Sequence, residues 1–168
     1  FKRISRAIVA ARPIATTAEL AEVVTSSIPA PARRTGGHPA KRTFQAIRIE
    51  VNGELDVLPD ALDQAVEHTV PGGRIAVLSY HSGEDRIVKE RFAVAAGACD
   101  CPHDLPCVCG AIQTVRLVRG VPKRASDEER AANRRAVSAR LRVVERIEAV
   151  RKSDGLPVGS EDPSGLEY

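Results

Sequence analysis

"VLSYHSGEDR", residues 77–86, begins as an apolar strand and passes without a spacer into His81, Ser82, Glu84, Asp85 and Arg86. In open α/β sheets, ligands sit in the crevice outside the carboxyl ends of strands, so a polar cluster at such an end is a natural place for chemistry. The same residues also read as a helix start. Ser82 would be the N-cap, and Glu84 and Asp85 would sit favourably against the helix dipole. Local sequence leaves both readings standing. Immediately upstream, "VPGGRIAVLSY" (70–80) is a turn followed by a near-continuous apolar run, the pattern of a strand buried on both faces of a parallel sheet. Downstream, "EDRIVKERFAVAA" (84–96) places Ile87, Val88, Arg91 and Phe92 at helical spacing, with Gly97 able to end the helix.

Further out the same period continues. Phe44, Ile47, Val51, Leu55, Leu58, Leu62 and Val66 are separated by three or four residues, which predicts helix with a break near Pro59, itself suited to a first turn. Residues 1–12 carry Phe1, Ile4 and Ile8 at helical spacing, and "TTAELAEVV" (16–24) predicts a second short helix, capped by Thr16 or Thr17, that stops before Pro29. "SIPAPARRTGGHPAKR" (27–42) reads as a linker or surface loop. Beyond the central helix, "IQTVRLVRG" (112–120) predicts a strand, and Ser126 with Glu129 predicts a capping box for a helix to about Arg135. "SARLRVVERI" (138–147) predicts a strand with Leu141 and Val143 on one face and Arg140 and Arg142 on the wet one. Helix, buried strand, helix, then two strands around a helix is the second half of a doubly wound α/β domain.

At 168 residues and 43% hydrophobic content the chain can bury one core, and with 3% aromatic residues that core must rest on Ala, Val, Ile and Leu. The formal net charge is +3, from 25 Lys and Arg against 22 Asp and Glu, so arginine clusters say more about a nucleic-acid partner than the sum does. No uncharged apolar stretch approaches the roughly 18 residues needed to cross a bilayer, and there is no signal-peptide pattern at the start, so the expectation is a cytoplasmic protein without a membrane partner. The sequence begins at Phe1 and contains no Met, which raises the expectation that a natural beginning is missing.

Cys99, Cys101, Cys107 and Cys109 form Cys-x-Cys-x5-Cys-x-Cys, with His103 inside. Four thiols so close together point to a metal more than to disulfides, although the Cys-x-Cys spacing is tighter than that of usual zinc knuckles. A structural zinc, reduced thiols and a disulfide all remain open on spacing.

"HPAKRTFQAIRIEVNGEL" (38–55), "PGGRIAVLSYHSGEDRIVKERF" (71–92), "CDCPHDLPCVCG" (99–110) and "NRRAVSARLR" (133–142) together resemble the C-terminal part of the bacterial 16S ribosomal RNA cytosine-N4 methyltransferase family. The resemblance runs from about residue 1 to residue 148, in the family's order. Gly83 departs from the family's Leu, Lys41 from its Thr, and Arg134 and Val137 from its Pro and Arg. The resemblance implies transfer of a methyl group from S-adenosylmethionine to the N4 of a cytidine in the decoding centre of the small ribosomal subunit. It also implies a Rossmann-like α/β fold with an inserted helical substrate domain. Residues 1–42 would be the end of that insert and a linker, 43–148 the C-terminal half of the methyltransferase domain, and 149–168 a disordered tail. The family's Gly-rich cofactor loop, acidic ribose-binding residue and catalytic Asp-Leu-Gly-Val-Ser-Ser strand have no counterpart here, so a fragment inactive alone is expected, with cofactor contacts unassigned.

Within that frame His81 and Ser82 are the candidate catalytic residues, since methylating an amine calls for a proton acceptor and a pocket for a base taken out of its stack. Tyr80 is a candidate for the cytosine edge. His38, Arg42, Thr43, Gln45 and Arg48 lie at a loop-to-helix entry, where Thr43 reads equally as a cap and the arginines as phosphate contacts with 16S rRNA. Arg135 and Arg142 belong to a further basic run from Arg116 to Arg142. Glu84, Asp85 and Arg86 read as cap and salt-bridge residues that shape the site. The cysteines would be structural. The competing expectation is a noncatalytic RNA-binding module held by a zinc knuckle.

Overall fold

The computed structural model describes residues 2–34, 37–99, 101 and 109–151, and the chain divides into two compact units, Phe1–Glu54 and Leu55–Tyr168. That division puts the helix starting at Lys41 wholly within the first unit.

The first unit is helical. α1 (Lys2–Ala10) and α2 (Thr17–Ser27) are followed by a 3-10 turn (Ala30–Arg34) and α3 (Lys41–Asn52). Thr16 is the cap of α2: its hydroxyl accepts from Glu19 N at 3.2 Å, while the Glu19 carboxylate accepts from Ala15 N at 2.8 Å. The helix ends at Ile28, in extended backbone ahead of Pro29, and the Arg33 guanidinium donates to Ile28 O at 2.7 Å. α3 has no side-chain cap. Its N-cap is Ala40, and Thr43, expected as a cap, lies inside the first turn. It stops at Asn52 because Gly53 adopts φ 60, and the bonds Gly53 N to Glu50 O and Glu54 N to Ile49 O close a Schellman motif. The helical break therefore begins at Gly53, ahead of Pro59, which sits in the first turn of the next helix as expected.

The second unit holds α4 (Leu58–His68), β1 (Arg74–Ser79), α5 (Ser82–Ala95), β2 (Ile112–Leu117), α6 (Asp127–Ala132) and β3 (Arg140–Arg151). The three strands form one sheet in the order β1-β3-β2. β3 is antiparallel to both neighbours, so β1 and β2 run parallel to each other with α5 as their connection. β1 enters from a turn in which Gly72 takes φ 84, and a Cβ on Gly73 would lie 2.6 Å from the Thr69 methyl. Leu62, Ile75, Val88, Phe92, Val115 and Val144 form the core, with α4 and α5 contributing to one face of the sheet.

Three expectations are corrected. β1 is buried on one face only, at Ile75 and Ser79, while Ala76 and Leu78 are exposed, because its one described neighbour is antiparallel β3 and nothing described covers its far side. β3 is inverted with respect to its sequence pattern. Val144 is the buried residue, paired with Ile75 and Leu117, so alternation turns Arg142 and Arg146 to the core side and Leu141 and Val143 away from it. The arginines can face inward because each has partners there: Asp85 for Arg142, and the carbonyls of Val66 and Thr114 for Arg146, at 3.1 and 2.9 Å. Finally, β3 continues through Arg151, so residues 149–151 are strand, and the rest of the expected tail lies outside the described residues.

Candidate active site at the carboxyl end of β1

Tyr80 and His81 follow β1 directly, and α5 begins at Ser82. The N-cap is His81 and not Ser82. Its backbone is extended (φ −139, ψ 159), its Nδ1 accepts from Glu84 N at 3.3 Å, and the Glu84 carboxylate accepts from His81 N at 3.2 Å and Tyr80 N at 2.9 Å. This reciprocal capping box satisfies three backbone donors where the chain turns from strand to helix. Ser82, displaced into the first turn, is exposed, and Tyr80 is 53% exposed. Two hydroxyl-bearing side chains thus project from a turn whose backbone is fixed. Gly83 packs beneath it: a Cβ there would meet the His81 ring at 3.2 Å and Leu55 Cδ1 at 3.4 Å.

The His81 ring is oriented by its own bond. With Nδ1 committed as acceptor, the neutral ring carries its proton on Nε2. Nε2 is buried and makes no hydrogen bond, although Glu84 Oε1 is only 3.2 Å away; proximity without alignment gives a Coulombic contact and not a bond. A buried unsatisfied N–H costs about 1–3 kcal/mol, so it stands out within an otherwise satisfied turn.

Behind the turn, Asp85 takes two bonds from Arg142 on β3, 2.7 Å from Nε and 3.0 Å from Nη2, with both side chains about one-fifth exposed. The pair ties the first turn of α5 to the central strand and engages Nε and Nη2 of the guanidinium expected as an RNA contact. Arg86 is exposed, 3.9 Å from Glu90. Ser79, 4% exposed, donates from its hydroxyl to Arg140 O at 3.4 Å. Arg135 is exposed in the 3-10 turn Arg134–Ser138, held by the Asn133 side chain accepting from its backbone N at 3.1 Å.

The remaining candidates lie in the first unit. His38 caps locally, its Nδ1 accepting from Ala40 N at 3.2 Å. Arg42 is exposed, Thr43 and Gln45 are half-buried along α3, and Arg48 is clamped by Glu54 at 2.9 and 3.0 Å. Sequence reasoning missed Arg146, whose guanidinium ties α4, β2 and β3 together; its signal, a charge flanking a buried valine on a strand, read as a wet face. The sulfurs of Cys99, Cys101 and Cys109 lie within 4.8 Å of one another, while Cys107 falls outside the described residues. No described helix is long and apolar enough to cross a membrane.

Comparison with known proteins places the chain in a family. Residues 1–147 match the model of the MraW methylase family. The chain is 53% identical over 150 residues to proteins named ribosomal RNA small subunit methyltransferase H from Heliobacterium modesticaldum and from a Paenibacillus species, covering 87% of this chain and 48% of each relative. The protein of that name from Symbiobacterium thermophilum is likewise 53% identical, over 151 residues, 88% of this chain and 48% of its own length. The chain therefore spans about half the length of these curated relatives. It belongs to the MraW methylase family.

Proposed function

We propose that these residues form the carboxyl-terminal part of an S-adenosylmethionine-dependent methyltransferase that modifies the exocyclic N4 of a cytidine in 16S rRNA, within the small ribosomal subunit and the cytoplasm. The observation that carries the reading is the fixed turn at the end of β1. It presents Tyr80 and Ser82 outside the carboxyl end of a strand, where α/β sheets bind ligands, in a chain about half identical to proteins named for ribosomal RNA methylation. The parallel relation of β1 and β2 through α5 supports a Rossmann-like sheet, with antiparallel β3 as the kind of strand such sheets often carry.

S-adenosylmethionine would supply the methyl group; no residue of this chain is assigned to hold it. The cytidine amine would displace the cofactor's sulfur from the methyl carbon, and the proton it then sheds would pass to solvent, since His81 Nδ1 is engaged in the cap. The turn's contribution is to hold the base. The Tyr80 phenol and Ser82 hydroxyl can hydrogen-bond the cytosine edge, and the Tyr80 ring can stack on it. His81 has Nδ1 occupied by the cap that sets the turn, and its remaining donor, Nε2–H, is buried beside Glu84 and would reach a base oxygen or ring nitrogen only on a side-chain rearrangement as the base binds. Arg42 and Arg135, exposed guanidinia, are the candidates for phosphate contact in their respective units, whereas Arg48 and Arg142 are held by Glu54 and Asp85.

The test is methyl transfer to small-subunit particles that lack the modification, using the product of the complete gene and isotopically labelled cofactor, with the product nucleoside identified by mass spectrometry. N4-methylcytidine supports the proposal. Transfer to carbon, to a sugar hydroxyl or to another RNA refutes it. The 168-residue chain alone is expected to show no calorimetric binding of the cofactor, and micromolar binding by it would overturn the assignment of those contacts elsewhere.

A further inference from the structure

We infer that Cys99, Cys101 and Cys109 form a structural thiolate site for zinc that clips shut the connection between α5 and β2. The three sulfurs come from both sides of that connection, two after the end of α5 and one just before β2, yet all lie within 4.8 Å of one another. Zinc–sulfur bonds of about 2.3 Å at tetrahedral angles set sulfurs about 3.8 Å apart, so closing on an ion needs a shift of about 1 Å or less. A disulfide would use only two of the three. Three thiols within 4.8 Å of one another offer three of the four ligands that tetrahedral zinc takes, and soft thiolate donors select zinc over hard cations. Binding converts each thiol to a thiolate as its sulfur–metal bond forms, releasing one proton per cysteine to solvent.

The chain around the cluster is built to deliver these residues to one place. Ala96 bridges to Gln113, Thr114 Oγ1 donates to Ala95 O at 3.2 Å, and Ala98 N donates to Ala93 O at 2.9 Å. Gly97 reverses the chain at φ 83, and a Cβ there would sit 3.3 Å from Gln113 Cβ. The connection thus leaves and returns at a fixed base, and the cysteines stand just beyond it. Cys99 and Cys101 are half-buried and Cys109 is exposed, which leaves a side open for the ion to enter. An ion there would remove the closure entropy of the intervening residues and hold the end of α5 whose last turns bury Phe92 at 2% exposure. The site lies at the opposite end of α5 from Ser82, about 20 Å along the helix at 1.5 Å per residue, so it serves structure and not methyl transfer.

The 168-residue chain, purified under reducing conditions without chelator, is the material for the test. We expect elemental analysis to give about one zinc per chain, and Co(II) exchanged for it to give a thiolate-to-cobalt charge-transfer band with intense tetrahedral d–d absorption. Cys101→Ser and Cys109→Ser should each abolish stoichiometric zinc and weaken that band, and stripping the metal should lower the melting temperature by about 5 °C or more. A metal-free chain whose Co(II) titration shows no charge-transfer band overturns the inference. So does zinc retained undiminished in both variants. If a variant fails to fold, the cobalt spectrum of the unaltered chain still decides. None of these readouts depends on methyl transfer, so this inference and the proposed function fail separately.

Discussion

The two faces of β3 follow opposite rules. On the core side Arg142, Val144 and Arg146 alternate, the valine fully buried and each arginine spent on specific partners: Asp85 for one, the Val66 and Thr114 carbonyls for the other. On the far side Leu141 and Val143 are half-buried, and Glu145 is shared between Arg74 and Arg116, whose side chains are 66% and 63% exposed. The core face thus sets one buried valine between two partnered arginines, while the far face carries Leu141 and Val143 beside a glutamate shared by two exposed arginines. A charged side chain goes inward when a partner fixed by another element waits there, and its long stem packs along apolar neighbours.

Truncation of the core shared by this inner face should show the largest effect. Phe92→Ala is expected to destabilise the chain by about 3–5 kcal/mol in denaturant melts, and a loss under 1 kcal/mol would mean the helical layer does not depend on it. Next is the charged clamp. Arg142→Ala and Asp85→Ala should each cost about 2 kcal/mol, and the double variant should lose clearly less than their sum. Additive losses would show that the two residues act independently and that the inward arginine is incidental.

A smaller effect separates capping from chemistry at His81. His81→Ala should cost about 1 kcal/mol by loss of the cap, whereas His81→Asp should keep parental stability because Asp is a preferred N-cap. In the complete enzyme both substitutions should lower single-turnover methyl transfer about 100-fold, the usual loss on removing one oriented donor. Full activity in the Asp variant would reduce His81 to a cap. The smallest effect belongs to the outer face. Glu145→Ala should change stability by less than about 1 kcal/mol, and less again at high salt, since both its partners are largely solvated. A larger loss there would erase the contrast between the faces.

Local order is where sequence spoke clearly. A threonine cap for α2 at Thr16 or Thr17, the stop before Pro29, Pro59 in the first turn of α4 and the end of α5 at Gly97 all depend on residues within a turn or two and stand in the structure, with Thr16 as the cap, while the strand expected over 112–120 ends at Leu117. The motifs around 38–55 and 71–92 likewise carried the family resemblance, and the polar turn after β1 was legible as the candidate site. Tertiary structure alone decided the rest. It turned β3 by one residue, because Arg142 finds Asp85 57 positions away and Arg146 finds Val66 80 positions away, separations that no periodicity encodes. It made His81 the cap in place of Ser82, since His81 is the residue left in extended backbone where the chain passes from β1 into α5, with its ring nitrogen at the Glu84 amide. It placed antiparallel β3 between β1 and β2, where apolar content had pointed to a parallel neighbour. And it gathered three cysteines into one cluster, since spacing records distance along the chain, whereas coordination depends on distance through space.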